Sequence, residues 1–193
     1  QDLLFISRSA SGTRYVPLKQ INPENVNQLK VAWTYHTGRR LTGSAIGVDE
    51  NTPIQIGAVL YTCTPENKIA AVNADTGKAI WEFDPHARTL EHVTCRSVGY
   101  YDYDQDDSLS AEQKAAYTAA TCRQRIIVTT VDARLLALDA HNGQLCDNFG
   151  QNGIVNLQNG IGDTADSRRY HPSSVPVILG HLTVFGTWIR YVT

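Results

Sequence analysis

The run "EHVTCRSVGYYD", Glu91 to Asp102, sets His92, Thr94 and Arg96 at alternate positions, with small or β-branched residues between them. On an extended strand, side chains two apart share a face, so these three would point the same way. A guanidinium is a planar fork of donors that matches a carboxylate at two points, and an imidazole changes charge near neutrality. Glu50, in "VDENTPIQIG", would add a carboxylate if its strand ran nearby. Such a carboxylate and guanidinium facing inward are energetically reasonable when they pair or share an anionic, hydrogen-bonding ligand. The chemistry implied is retention of a small polar anion. The plainer alternative pairs Arg96 with a loop acid and uses Glu50 to cap a turn.

Other residues with chemical potential are less convergent. Cys63, Cys95, Cys122 and Cys146 lie too far apart for a paired-cysteine zinc knuckle. Their even number permits two disulfides in an oxidising compartment, with three pairings open and buried free thiols as the alternative. "DYDQDDSLSAEQ" spaces Asp102, Asp104 and Asp106 like a calcium loop. Asp107, however, stands where that loop needs glycine, and Gln113 where it needs a bidentate glutamate, so a solvated acidic loop is expected. His36, His86, His141, His171 and His181 show no metal-ligand spacing and read as surface or turn residues.

Composition narrows the classes of function. With 42% hydrophobic and 19% charged residues, the 193-residue chain can build a packed core and fits one domain or a piece of a larger one. A formal net charge of −2, with both signs intermixed, gives no broad cationic face, so nucleic acid is not an expected partner. No run approaches the ~18 apolar residues that span a bilayer. The start, "QDLLFISRSASG", lacks the pattern of a secretory signal, so any signal or anchor is expected outside this segment.

The elements that would position the candidate site emerge when the chain is laid over itself. "LYTCTPENKIAAVNADTG" (60–77) matches "IIVTTVDARLLALDAHNG" (126–143), with Asn73 over Asp139 and Gly77 over Gly143. Each copy reads as strand, polar turn, strand and a glycine turn leading to a further strand. A third copy starts at "VPVILGHLTVFG", aligned with "TPIQIGAVLYTC" through Pro53 and Pro176, and Gly57 and Gly180. "KVAWTYHTG" matches "KAIWEFDPH" and reads as the last strand of a preceding unit, with Trp33 and Trp81 packing between sheets. Four-stranded units of this kind suit β-propeller blades; a solenoid is the competing architecture. Two whole and two partial units cannot close a ring, so an all-β partial β-propeller is expected, with units at about 37–84, 92–150 and 170–193. One insertion breaks the second unit: Ser110 stands three before Gln113 in an alanine-rich stretch, predicting a short capped helix within about 108–121. The strands holding Glu50 and Arg96 are expected to be the first of their units, lining a shared axis.

"RYVPLKQINPENVNQLKVAW", "ENTPIQIGAVLYTCTPENKIAAVNADTGKAIWEFDP", "HVTCRSVGYYD" and "CRQRIIVTTVDARLLALDAHNGQLCDNFGQNGIVNLQ" together resemble the N-terminal part of the catalytic domain of membrane-bound quinoproteins. These are the pyrroloquinoline quinone (PQQ)-dependent glucose and quinate/shikimate dehydrogenases, and the likeness runs from about Arg14 to about Phe185. The resemblance implies the first blades of an eight-bladed propeller with PQQ and a divalent metal, usually calcium, on the axis. It also implies oxidation of a small polyol or cyclic hydroxy acid at the periplasmic face of the inner membrane. Ubiquinone would be the electron acceptor, and the remaining blades and a membrane anchor would belong to the parent chain. Likeness in "ENTPIQIGAVLYTCTPENKI" and "TCRQRIIVTTVDARL" leans towards quinate or shikimate over glucose.

By the same resemblance, Glu50 is the axial glutamate near PQQ and Arg96 the arginine that contacts the cofactor's carboxylates. His92 is a histidine beside the cofactor that influences substrate preference, and Ser173, in "HPSSVP", a hydroxyl residue that bonds PQQ. The family's aspartate base comes from a later blade and has no counterpart here, and no residue is assigned to the metal. The chain departs from the pattern after "TVFG", where Trp188 replaces a small residue and Tyr191 an acidic or amide group. The isolated chain is expected to lack dehydrogenase activity, and a non-enzymatic propeller scaffold for protein interaction is the alternative function.

Overall fold

The computed structural model describes residues 17–38, 47–88, 93–117, 122–161 and 170–189. Two four-stranded antiparallel sheets dominate it. The first is ordered β2 (Ile54–Ile56), β3 (Val59–Cys63), β4 (Ile69–Asn73) and β5 (Ala79–Phe83). A short strand, β1 (Gly47–Asp49), precedes it, and β6 (Val93–Cys95) follows it. The second sheet runs from β7 (Gly99–Asp102) through β8 (Gln124–Thr129) and β9 (Arg134–Asp139) to β10 (Ile154–Asn156). A third unit begins with β11 (Tyr170–Pro172) and the hairpin β12 (Val177–Leu179) and β13 (Leu182–Val184), and β14 (Thr187–Ile189) pairs back on β11.

The internal repeat is exact in its turns. Thr64 N–H donates to Lys68 O and Asn67 N–H to Thr64 O, and one repeat later Thr130 and Ala133 make the same two bonds, with Asn67 and Ala133 at φ 61° each. At the next turn, Asn73 Oδ1 accepts from the Asp75 and Thr76 amides, as Asp139 Oδ1 does from His141 and Asn142. These side chains mimic a backbone turn, which is why Asn and Asp recur there.

Alternation of side chains explains how the sheets stack. One core joins Ile54, Tyr61, Ile69 and Trp81 of the first sheet to Ile126, Val128 and Leu138 of the second. Ile127, Leu135 and Ala137, on the opposite face of the second sheet, pack with Ile178 and Phe185 of the third unit. The middle sheet is thus buried on both faces, the arrangement of consecutive propeller blades. Trp81 seals the first junction: its Nε1 donates to Ala140 O at 2.9 Å, as Trp33 Nε1 does to Ala74 O at 2.9 Å.

The predicted helix forms as α1 (Ala111–Ala116), with Ser110 Oγ accepting from the Gln113 amide and Gln113 Oε1 from the Ser110 amide. The acidic loop before it is solvated only in part, with Asp104 and Asp107 exposed. Asp102 and Asp106 are buried; Asp106 accepts from Tyr101 and Ser108, and Asp104 pairs with Arg123. Local donors take up these carboxylates: Tyr101 and Ser108 for Asp106, Gln124 for Asp102 and Arg123 for Asp104. The cysteines settle as Cys63–Cys95 and Cys122–Cys146.

Candidate functional site

Glu50 and Arg96 meet at the junction of the first two sheets, and backbone pairing brings them there. β1 pairs in parallel with β6 in the register Gly47↔Val93, Val48↔Thr94 and Asp49↔Cys95, so Glu50 and Arg96 leave the paired segment side by side. Beyond it, Thr52 N–H donates to Arg96 O at 2.8 Å and Ser97 Oγ to Thr52 O at 2.6 Å. This corrects the sequence reading in one respect: Thr94 and Arg96 do not belong to the first strand of the second sheet. Thr94 lies on the separate strand β6 that precedes it and Arg96 in the link from β6 to β7, because Ser97 and Thr52 tie the chain to the previous unit before β7 begins.

The side chains converge as expected. Arg96 Nη2 lies 2.9 Å from Glu50 Oε2, and Thr94 Oγ1 donates to the same oxygen at 3.3 Å. Arg96 Nη1 donates to the main-chain carbonyl of Ser173, which brings the third unit into the cluster. Both charged side chains remain about two-fifths exposed, at 42% for Arg96 and 41% for Glu50. Beneath them Thr94, Arg96, Ser97, Ser173 and Ser174 line a cavity of about 10 Å³, room for one water-sized body. A larger ligand would therefore lie across the open face of the guanidinium. Three of the four residues singled out from sequence, Glu50, Arg96 and Ser173, are brought together; His92 lies outside the described residues.

Sequence reasoning missed the residues that hold this cluster in place. Asn67 is 1% exposed; its Oδ1 accepts from Val131 N–H at 2.8 Å and its Nδ2 donates to Thr94 O at 3.4 Å. Asn51 Nδ2 donates to Thr62 Oγ1 at 2.6 Å, while its Oδ1 accepts from Cys63 N–H at 3.4 Å, fixing the residue that follows Glu50. The signal for Asn67 was its place before the second strand of a repeat, where Ala133 stands in the next copy.

The donor set fits a flat tricarboxylate. A half-exposed guanidinium suits a carboxylate oxygen of such a group, and Glu50, itself receiving the Thr94 hydroxyl, fixes the fork's orientation. Among the described residues no three His, Cys, Asp or Glu side chains converge as a metal-binding group.

The description "Glucose/ethanol/alcohol dehydrogenase, beta-propeller domain", a PQQ family, matches residues 5–192. The quinate/shikimate dehydrogenase (quinone) of Acinetobacter baylyi is 39% identical over 93% of this chain and 23% of its own length. The quinoprotein glucose dehydrogenase of Escherichia coli K12 is 40% identical over 92% of this chain and 22% of its own. The chain thus spans less than a quarter of these curated relatives. Among solved structures, the quinohemoprotein alcohol dehydrogenase of Comamonas testosteroni shares the fold, with a TM-score of 0.66 at 22% identity over 96% of this chain and 23% of that one. The stacked sheets are accordingly part of a propeller, and the chain belongs to the PQQ-dependent glucose/ethanol/alcohol dehydrogenase β-propeller family.

Proposed function

We propose that this chain forms part of a PQQ-dependent dehydrogenase that oxidises a hydroxyl of a small polyol or cyclic hydroxy acid. In this proposal calcium or another divalent metal sits beside the cofactor, with its ligands drawn from elsewhere. Electrons pass to ubiquinone at the periplasmic face of the inner membrane. The observation that carries the reading is the convergence of Glu50, Arg96 and Ser173 from three successive units on one open guanidinium.

PQQ, when bound, supplies the two-electron acceptor for the alcohol. Arg96 binds and orients a carboxylate of that group, and a two-point contact fixes its rotation as well as its position. Glu50 holds the guanidinium through Nη2 and keeps the fork turned outward. Ser173 anchors Nη1 through its carbonyl, and its hydroxyl is a further donor to the cofactor. His92 is assigned a place beside the cofactor, where its bulk and charge influence substrate choice. No residue of this chain is assigned as the base that takes the alcohol proton.

A preference for quinate or shikimate over glucose belongs to the same proposal, resting on the two stretches of likeness named above. Identities of 39% to the quinate/shikimate enzyme and 40% to the glucose enzyme weigh the two classes equally, so a substrate panel decides between them. The test of the whole reading is titration of the full-length protein that carries this segment with PQQ and calcium, followed by absorbance and by dye reduction. Saturable binding with substrate-dependent reduction supports it; no saturable binding leaves a non-enzymatic scaffold. The isolated 193-residue chain is proposed to show no turnover, since it spans less than a quarter of its relatives.

A further inference from the structure

We infer that the Cys63–Cys95 disulfide is a positioning element for Arg96, holding its backbone in the orientation that the cofactor requires. The inference rests on the assignment of Arg96 to PQQ. Arg96 follows directly on β6, a three-residue strand that, among the described residues, pairs only with β1. A two-stranded ribbon is marginal in water, and three parallel pairs hold an edge weakly. The Arg96–Glu50 pair cannot hold it either, because ion pairs this exposed contribute little.

The disulfide supplies what the ribbon lacks. Cys95 immediately precedes Arg96, while Cys63 is the last residue of β3, inside the first four-stranded sheet and paired with Ile69. Both cysteines are buried, at 5% and 2% exposure, in the core shared by the two sheets. The amide of Cys63 also donates to Asn51 Oδ1, so one end of the crosslink touches the residue after Glu50 and the other adjoins Arg96. The rigidity of the sheet therefore passes to both members of the pair.

The molecule contains its own control. Cys122–Cys146 closes a loop of similar size, with a sequence separation of 24 against 32, so loop-closure entropy gives the two crosslinks nearly equal effects on stability. Cys122 and Cys146 belong to the other core, on the far face of the second sheet. A purely structural role would make the two disulfides interchangeable.

The experiment compares Cys63→Ala/Cys95→Ala with Cys122→Ala/Cys146→Ala in the full protein that carries this segment, measuring the Kd of the apoprotein for PQQ and the thermal midpoint. Both pairs are expected to lower the midpoint similarly, while only the first raises Kd, by about tenfold, since small misplacements of a positioning group are costly. Equal Kd changes in the two variants, or none in the first, overturn the inference. Arg96→Ala run alongside must also raise Kd; if it does not, the cofactor assignment fails and takes this inference with it. Should the first variant not fold, amide exchange is read in the Cys122→Ala/Cys146→Ala background. There a phosphine is oxidised to its oxide as it reduces Cys63–Cys95 to two thiols. Faster exchange at Thr52 and Thr94–Ser97, with Ile69–Asn73 still protected, supports the inference, and unchanged exchange at Thr52 and Thr94–Ser97 overturns it.

Discussion

Trp81 of the first sheet lies against Gly143 of the second, so closely that a Cβ added at Gly143 would stand 2.6 Å from the indole. Trp33 and Gly77 repeat the relationship one unit earlier, at 2.5 Å. Each glycine also has a positive φ, 72° at Gly143 and 68° at Gly77, so the turn that accepts the indole excludes a side chain on two independent grounds. Gly143→Ala is accordingly expected to destabilise the fold by about 2–4 kcal/mol, from backbone strain and overpacking together. Urea denaturation measures it, and a change below about 0.5 kcal/mol, the range of an ordinary surface substitution, would contradict the packing described.

Asn67 joins β6, which Arg96 directly follows, to the β8–β9 turn of the second sheet through Thr94 O and Val131 N–H. Asn67→Ala leaves a buried amide unsatisfied and puts a Cβ residue lacking the amide group at φ 61°, a combined cost of about 2–4 kcal/mol. Asn67→Gly relieves the backbone but not the amide. A smaller but definite loss in the glycine variant, again by urea denaturation, separates the two causes.

Much of this architecture was legible because its signals are local. The match of 60–77 to 126–143 reappears in the bonds of Thr64 and Thr130, and the Ser110–Gln113 spacing reappears as a reciprocal cap. What escaped was decided by contacts between distant residues. The parallel pairing of β1 with β6 joins strands 46 positions apart in register, Gly47 with Val93, and no periodicity within either strand announces it. The fate of Asp102 and Asp106 was hidden for a similar reason, since Gln124 donates to Asp102 from across the insertion. The choice among three disulfide pairings also needed the sheets in place: Cys63 meets Cys95 only because β6 leaves its own unit to join β1.

Burial pushes the Tyr61 hydroxyl up to about 12, with the nearby Asp139 carboxylate adding to the shift. The neutral hydroxyl donates to Ala140 O at 3.1 Å, the carbonyl that also receives Trp81. A group whose folded value lies above its unfolded value of about 10 contributes stability that is complete below pH 10 and falls away between about 10 and 12. Tyr35, pushed to about 12 by burial and by Glu82, and Tyr101, also raised by burial and by Asp106, titrate the same way. Tyr61→Phe should therefore reduce, without abolishing, the alkaline slope of stability in that window. Denaturation series from pH 8 to 12 on parent and variant test this, and parallel curves would exclude Tyr61 as a contributor.

Arg96 separates binding from stability. Its pair with Glu50 is two-fifths exposed, so removing it should cost the fold at most about 1 kcal/mol. Its contact with a cofactor carboxylate would be two-pointed and partly desolvated, where a guanidinium matters far more. Arg96→Ala should thus weaken PQQ binding by about 10- to 100-fold, the range for loss of one charge-assisted contact, while the unfolding midpoint barely moves. Arg96→Lys keeps the charge but presents a single rotating ammonium, which cannot reach Glu50 and the Ser173 carbonyl as the fork does. Lysine should consequently restore only part of the affinity. Full recovery with lysine would mean that charge alone holds the cofactor and that the fork's geometry contributes nothing. A fall in stability matching the fall in affinity would instead make Arg96 a structural residue of the junction between the first two sheets.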